Sequence, residues 1–394
     1  MVSWSGQIVA DPQLHKKQNC RRILASEAVF TAKSVLLDNG LPAGRFSGHQ
    51  LFLLWQSGER ISPSCSNDRR FSPTSLVQHF RSYPLRDFEY TAPSTLREAV
   101  KLLSDKGEFA RVLAGGTDLL VQMRARRFQP ERVVDIKNVP EANELTLSSR
   151  KGLRIGAAVP CQRIYNDEGV KEHFAGLTDA SMIIGGIQIQ GRATLGGNLC
   201  NASPSADSIP ALIAYGAEAE IIGPNGKRKL PVEDFCTGPG ANALQPGEML
   251  VAIHMSQPKP NSGAHYLRFI PRNEMDIAVV GVGAFVELGG RSKSRVFKTV
   301  RVALAAVAPI PLPVPAAAVA LEGQPVNDET IAAAAAAAQQ VAKPISDMRG
   351  PAEYRRHLVG VLTKRALIGA VKRANGEFVP NAVQSSGHAV YQLS

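Results

Sequence analysis

Gly191-Arg192-Ala193-Thr194-Leu195-Gly196-Gly197-Asn198-Leu199, continuing through Asn201-Ala202-Ser203-Pro204-Ser205-Ala206-Asp207, is the stretch on which the reading of this chain turns. Adjacent glycines let a backbone approach a ligand closely. Thr194 and Asn198 add hydrogen-bonding side chains, and Arg192 adds charge. About 80 residues earlier, Val112-Leu113-Ala114-Gly115-Gly116-Thr117-Asp118-Leu119-Leu120 repeats the theme between a strand and a helix. There, N–H groups freed by glycine and the helix dipole favour an anion. This segment is no P-loop, because the Gly-Lys-Ser/Thr ending is missing, and no dinucleotide fingerprint, because G-x-G-x-x-G is absent. Two such segments could grip one diphosphate from two sides. On composition alone, two unrelated glycine turns remain the alternative.

Outward from these segments the text is regular. Thr95 and Glu98 have capping-box spacing, and Leu96, Ala99, Val100 and Leu103 follow at the spacing of one helix face. Arg111–Leu113 and Arg132–Ile136 read as strands. Leu145–Leu147 and Leu153–Ile155 flank a Lys151-Gly152 turn, and Glu218–Ile222 reaches Lys229-Leu230 through Asn225-Gly226, so both read as hairpins. Pro258, Pro260 and Gly263 mark a linker. Beyond it, Ile277–Leu288 and Val300–Val307 are β-like, and Asp328–Ala342 is a helix carrying the alanine run Ala332–Ala338. Glu353–Arg373 is a last helix with Tyr354, Leu358, Val361, Leu362 and Ala366 on one face.

The pair of glycine segments resembles the two FAD-binding motifs of the flavoprotein (medium) subunit of molybdenum hydroxylases, the carbon monoxide dehydrogenase and xanthine dehydrogenase family. Arg86-Asp87-Phe88-Glu89-Tyr90 is similar to the family's opening. Arg301–Pro309, Ile345–Gly350 and Ala352–Arg356 are similar to its C-terminal domain, so the resemblance spans about 85–377. It implies an α+β fold: a vanillyl-alcohol-oxidase-like (PCMH-type) FAD-binding domain of two α/β subdomains, plus a C-terminal α+β domain. The implied boundaries are 85–259, with subdomains of about 85–138 and 139–259, then 260–377, then a loose tail at 378–394. It also implies that Leu113, Ala114, Gly115, Gly116, Thr117, Asp118 and Leu119, with Thr194, Leu195, Gly196, Gly197 and Asn198, hold the FAD diphosphate. Asp207 would bond nearer the ribityl and flavin end, its alternative being a helix N-terminal acid. Ile184 and Leu250 match apolar flavin contacts, with core packing as the alternative for each. Arg268 stands where many relatives have Lys beside the flavin. A cation there would stabilise an anionic reduced flavin, but Arg brings a planar fork in place of a point charge. Ala308–Pro313 lacks the Thr and Arg that often follow that Ala-Pro, a loop change with no clear effect on FAD.

The resemblance places this subunit in a larger enzyme. A large molybdopterin subunit hydroxylates the substrate, and a small subunit carries two [2Fe–2S] clusters. FAD here passes the electrons to NAD, a quinone or another acceptor, in a dimer of heterotrimers in the cytoplasm. A stand-alone FAD-dependent reductase is the alternative. Gly196→Val or Gly197→Val is expected to expel FAD by filling the diphosphate's space.

Other residues carry less. Five cysteines (Cys20, Cys65, Cys161, Cys200, Cys236) include no C-x-x-C pair, which argues against a disulfide framework, a zinc site or a cluster on this chain. Cys200 reads as a small packing residue near the cofactor. His173, His254, His265 and His357 lack metal spacing and read as surface or satisfied histidines. No Ser-His-Asp set and no general base stand out, which is intelligible if the chemistry is electron transfer.

The chain has 394 residues and a net charge of +11. Residues 1–84 hold ten basic and five acidic residues and both tryptophans, Trp4 and Trp55, with little sustained periodicity. A third reading follows from them: a basic nucleic-acid or membrane binder. However, no apolar run approaches the roughly 18 residues of a membrane span. Relatives usually start near Leu85-Arg86-Asp87-Phe88, and no Met lies between Met1 and Met123. The expectation is therefore that 1–84 is a basic extension, disordered or from a misassigned start, with Leu85 encoded by an alternative start codon. The remaining +6 then gives no argument for nucleic acid.

Overall fold

The structure is a computed structural model that describes residues 85–272, 275–291 and 294–380. The expectations for 1–84 and for most of the tail lie outside these residues.

Strand β1 (Glu89–Thr91), helix α1 (Leu96–Lys106), strand β2 (Ala110–Leu113), helix α2 (Leu119–Arg124) and strand β3 (Arg132–Asp135) form a small parallel sheet of order β1-β3-β2. The central strand buries Val133 and Val134, as a parallel strand covered on both faces must. Thr95 caps α1 as its spacing predicts, accepting from the Glu98 N–H (3.2 Å). The Glu98 carboxylate returns to the Ser94 N–H (3.2 Å), one residue earlier than in a capping box. Val100 is only half-buried.

Next come α3 (Pro140–Asn143), β4 (Leu145–Ser148), β5 (Gly152–Gly156), α4 (Cys161–Asn166), α5 (Glu168–His173), α6 (Ala175–Ser181), α7 (Ile187–Gln190), α8 (Leu195–Asn201) and α9 (Ser208–Ala214). β6 (Glu218–Gly223), β7 (Gly226–Pro231), β8 (Cys236–Gly238), β9 (Ala241–Asn242) and β10 (Met249–Met255) follow. Both expected hairpins form, β4 with β5 and β6 with β7, with positive φ at Gly152 (76°) and Gly226 (102°). The almost wholly buried β10 pairs with β5 and β6 and completes an antiparallel sheet of order β4-β5-β10-β6-β7.

β11 (Ser262–Phe269), β12 (Val280–Gly289), β13 (Val296–Ala305) and β14 (Leu312–Pro313) form an antiparallel meander. Gly263, placed in a linker by composition, lies inside β11, where a Cβ would meet a helix backbone (Ala370 O at 2.2 Å). That helix belongs to the group α10 (Pro315–Leu321), α11 (Asp328–Val341) and α12 (Ala352–Ala374). The sheet is buried on both faces, and the period of two sorts its side chains. Ala264, Tyr266 and Ala303 join the core of the first half, while Leu267, Val282, Val302 and Leu304 join a second core under α10–α12. On α12, Leu358, Leu362 and Ala366 are buried, but Tyr354 is 41% exposed and lies edge-on to Phe269.

The seam between sheet and first half is close. A Cβ on Gly283 would lie 2.5 Å from the Pro210 carbonyl oxygen of α9. Phe174, Tyr215 and Phe285 stack across it with ring centroids 5.2 and 5.7 Å apart. Arg373, in the last turn of α12, grips the buried Asp179 of α6 with both guanidinium ends (2.6 and 2.9 Å). Farther along, buried Arg355 donates to the Val279 and Ala306 carbonyls and pairs with Asp347, tying the Ile345–Gly350 loop to the sheet. No helix among the described residues is long and apolar enough to cross a membrane.

Candidate functional site

The two glycine segments meet backbone to backbone. β2 ends at Leu113, and the turn to α2 carries Gly115 against the second segment. A Cβ on Gly115 would lie 2.1 Å from the Arg192 carbonyl oxygen, so only glycine permits the contact. Gly116 has φ +80°, which an L side chain adopts at a cost. From the other side, the Cys161 N–H donates to the Ala193 carbonyl (2.8 Å) and Pro160 bridges to Thr194. Thr194 then caps α8, accepting from the Gly197 N–H (2.8 Å). The stretch from Ile183 to Asp207, which composition marks only as glycine-rich, thus contains the short helices α7 and α8. Gln122 of α2 donates to Asn201 of α8 (2.9 Å) and ties the segments once more.

Beneath this junction lies a cleft of ≈ 940 Å³, within the roughly 300–1,000 Å³ usual for ligand sites. Ala114–Leu119, Ile184, Thr194, Gly196–Asn198 and Leu250 line it. Leu113, Leu195, Asp207 and Arg268 do not: Leu195 is fully buried in the core, and Leu113 packs under Gly116. Gly196 and Gly197 differ in direction. A Cβ on Gly196 would run into the Ala157 backbone (2.5 Å to its oxygen), not into open space. A Cβ on Gly197 would find only the Thr194 hydroxyl, at 3.0 Å. The cleft therefore offers a bare glycine backbone in one part and apolar walls (Ile136, Ile184, Met249, Leu250) in another. That combination fits an extended dinucleotide such as FAD, with a charged middle and a flat apolar ring.

Asp207 stands at the N-cap position of α9, yet its side chain makes no capping bond. It turns instead to β11. Tyr266 donates its phenol to Oδ1 (2.9 Å), and Arg268 Nη1 donates to Oδ2 (2.7 Å). Burial pushes the Asp207 carboxyl up to about 6, with Arg268 and Tyr266 pulling it back. Two predicted residues are thus brought together, as partners of each other. The neighbouring Ser208 donates its hydroxyl to the Asn198 side chain (2.6 Å), which links this pair to the cleft wall.

Several cleft features escape a reading of the sequence. The Asn242 side chain donates to the Cys200 carbonyl (2.7 Å), and the Gly240 N–H to the Ala202 carbonyl (3.0 Å), so the β8–β9 turn closes one end. Arg111 lies 5.0 Å over the Phe128 ring at another edge. The only local signal was the turn-forming Gly238-Pro239-Gly240. Cys200 lines the cleft with its thiol pushed by burial to about 12, far from a reactive thiolate. His254 pairs with Glu220 (2.8 Å), and His265 is buried against α12, where burial holds it neutral down to about 4. Among the described residues no three His, Cys, Asp or Glu side chains gather as a metal site.

Comparison with known proteins gives two family matches. Residues 86–258 match the FAD binding domain in molybdopterin dehydrogenase, and residues 265–391 match the CO dehydrogenase flavoprotein C-terminal domain. The chain is 35% identical over 289 residues to the xanthine dehydrogenase FAD-binding subunit of Escherichia coli O157:H7, covering 73% of this chain and 97% of that protein. It is 32% identical over 286 residues to the carbon monoxide dehydrogenase medium chain of Hydrogenophaga pseudoflava, covering 73% and 98%. A solved carbon monoxide dehydrogenase from Hydrogenophaga pseudoflava, lacking the Mo-pyranopterin moiety of its cofactor, superposes with a TM-score of 0.70 at 32% identity, over 74% of this chain and 99% of that one.

Proposed function

The chain belongs to the FAD-binding subunit family of the molybdenum hydroxylases, the xanthine and carbon monoxide dehydrogenase flavoproteins, and from that premise we propose that it relays electrons inside a multi-subunit dehydrogenase. It is an oxidoreductase flavoprotein whose cofactor is FAD. In this reading [2Fe–2S] clusters on a small subunit deliver the electrons that a large molybdopterin subunit takes from substrate. NAD, a quinone or another acceptor receives them, and the assembly is a dimer of heterotrimers in the cytoplasm. The FAD-binding part is residues 85–259 and the C-terminal part 260–377.

FAD, when bound, supplies reversible electron storage; the chain's residues supply its seat. Leu113–Leu119 and Thr194–Asn198 hold the diphosphate, chiefly through backbone N–H groups of the two glycine turns. Ile184 and Leu250 pack on the ring and exclude water. Asp207 and Arg268 belong to the flavin end, as a paired charge instead of a lone cation. Leu195 acts from beneath, by holding α8 against the core.

The observation that carries the proposal is the contact of Gly115 with the Arg192 carbonyl, which makes one cleft of two distant glycine turns. The test is purification of the native protein with its partners. One FAD per chain, with molybdenum and iron in the same particle, is the expected result. FAD without any such partner would instead favour the stand-alone reductase.

A further inference from the structure

Asp207 has both carboxylate oxygens taken by buried side chains of β11. Tyr266 holds Oδ1 of Asp207 at 2.9 Å and Arg268 holds Oδ2 at 2.7 Å. Tyr266 is fully buried, and Asp207 and Arg268 nearly so. Space for the phenol is reserved by Gly281 on β12, where a Cβ would lie 2.6 Å from the hydroxyl. Phenylalanine would fill the same space without burying a hydroxyl, which costs free energy unless it is bonded. Among the described residues the hydroxyl's partner is a carboxylate that already has a cation, so its effect falls on that ion pair.

That effect is electrostatic. Arg268 carries a charge that Asp207 cancels only while Asp207 is ionised. Burial works against ionisation, and the phenol, by donating to the carboxylate, works for it. Without the phenol, Asp207 holds a proton more readily at neutral pH, and the guanidinium charge is left bare in a setting where little solvent screens it.

We infer that Tyr266 is a positioning residue: it keeps Asp207 as the compensating anion of Arg268, and so sets the net charge held behind the cleft wall, next to Asn198, at the flavin end. The inference rests on the reading that the chain binds FAD with Asp207 and Arg268 at its flavin end. It makes the Arg in place of the family's usual Lys half of a neutral pair.

The experiment measures the midpoint potential of bound FAD in the purified native complex, together with FAD content and melting temperature. Tyr266→Phe removes one oxygen atom. It is expected to keep its FAD and to raise the reduced-to-oxidised ratio at a fixed poise about tenfold, about 30 mV for a two-electron couple. Asp207→Asn should raise it further and Arg268→Gln should lower it. Tyr215→Phe is the control for a merely structural loss. Its buried phenol accepts from the Gly176 N–H (3.2 Å), so the variant should melt earlier at unchanged potential. A Tyr266→Phe complex with FAD bound at the wild-type potential, or one that shifts no more than Tyr215→Phe, overturns the inference. A wild-type complex without FAD overturns the functional reading and this inference with it.

Discussion

Gly115-Gly116 and Gly196-Gly197 look alike as text, yet the structure divides the labour within each pair differently. In the first pair both glycines are demanded by the chain itself: Gly115 because a Cβ there would run into the Arg192 carbonyl, Gly116 by a φ of +80°. In the second pair only Gly196 is, because a Cβ there meets the Ala157 backbone. At Gly197 a Cβ would crowd only the Thr194 hydroxyl, at 3.0 Å. Of the four, it is the glycine whose bareness the fold itself demands least. A glycine-rich motif is thus a mixture of folding requirements and binding requirements, and direction, which sequence does not carry, separates them.

Substitutions break or sharpen this comparison. The largest effect is expected at Gly115→Val, which forces the two segments apart and should lose both FAD and at least ~3 kcal/mol of stability, read by urea unfolding and flavin absorbance. Gly196→Ala comes next. Its Cβ meets backbone, so a loss of about 2–3 kcal/mol is expected, with FAD weakened because α8 shifts and not because the cleft is filled. That replaces the simpler expectation that both second-segment glycines act by occupying the diphosphate's space. Gly116→Ala should cost about 1 kcal/mol for the left-handed backbone, with FAD bound less tightly in a titration of apoprotein. Gly197→Val has the smallest expected effect on the fold, about 0.5–1 kcal/mol: valine is no worse than glycine within a helix, but its Cβ crowds the Thr194 hydroxyl that caps α8. Yet it should purify colourless. A yellow Gly197→Val protein with full FAD would show that the second segment does not face the cofactor.

Much of this fold is legible in the residues because its signals are local. The Asn225-Gly226 turn and the alternation around it specify a hairpin, and Thr95 announces the start of α1. The glycine segments announce a ligand, but not that they touch, since the Arg192 carbonyl that demands Gly115 is a backbone atom of unremarkable sequence. The short helices α7 and α8 hide in a glycine-rich stretch because tertiary contacts, not propensity, hold them. Tyr266 and Asp207 are 59 residues apart, and Asn242 reaches 42 residues back to Cys200. Partnerships at such separations leave no periodic trace. Tyr354 fits the apolar stripe of α12 by spacing, yet it lies in the helix's first turn with only its edge contact to Phe269, and it is half-exposed.

The clasp of Arg373 on Asp179 joins residues 194 positions apart. Asp179 is almost fully buried, and a buried carboxylate deprived of its cation is strongly unfavourable. During synthesis the first half of the chain emerges long before Arg373 does. Before β11 and α12 are made that carboxylate stays in water; it becomes buried only as the Tyr266 N–H (3.2 Å) and the Arg373 guanidinium close over it. Docking of the two halves is thereby coupled to the neutralisation of one charge, and neither half can bury its side of the seam alone.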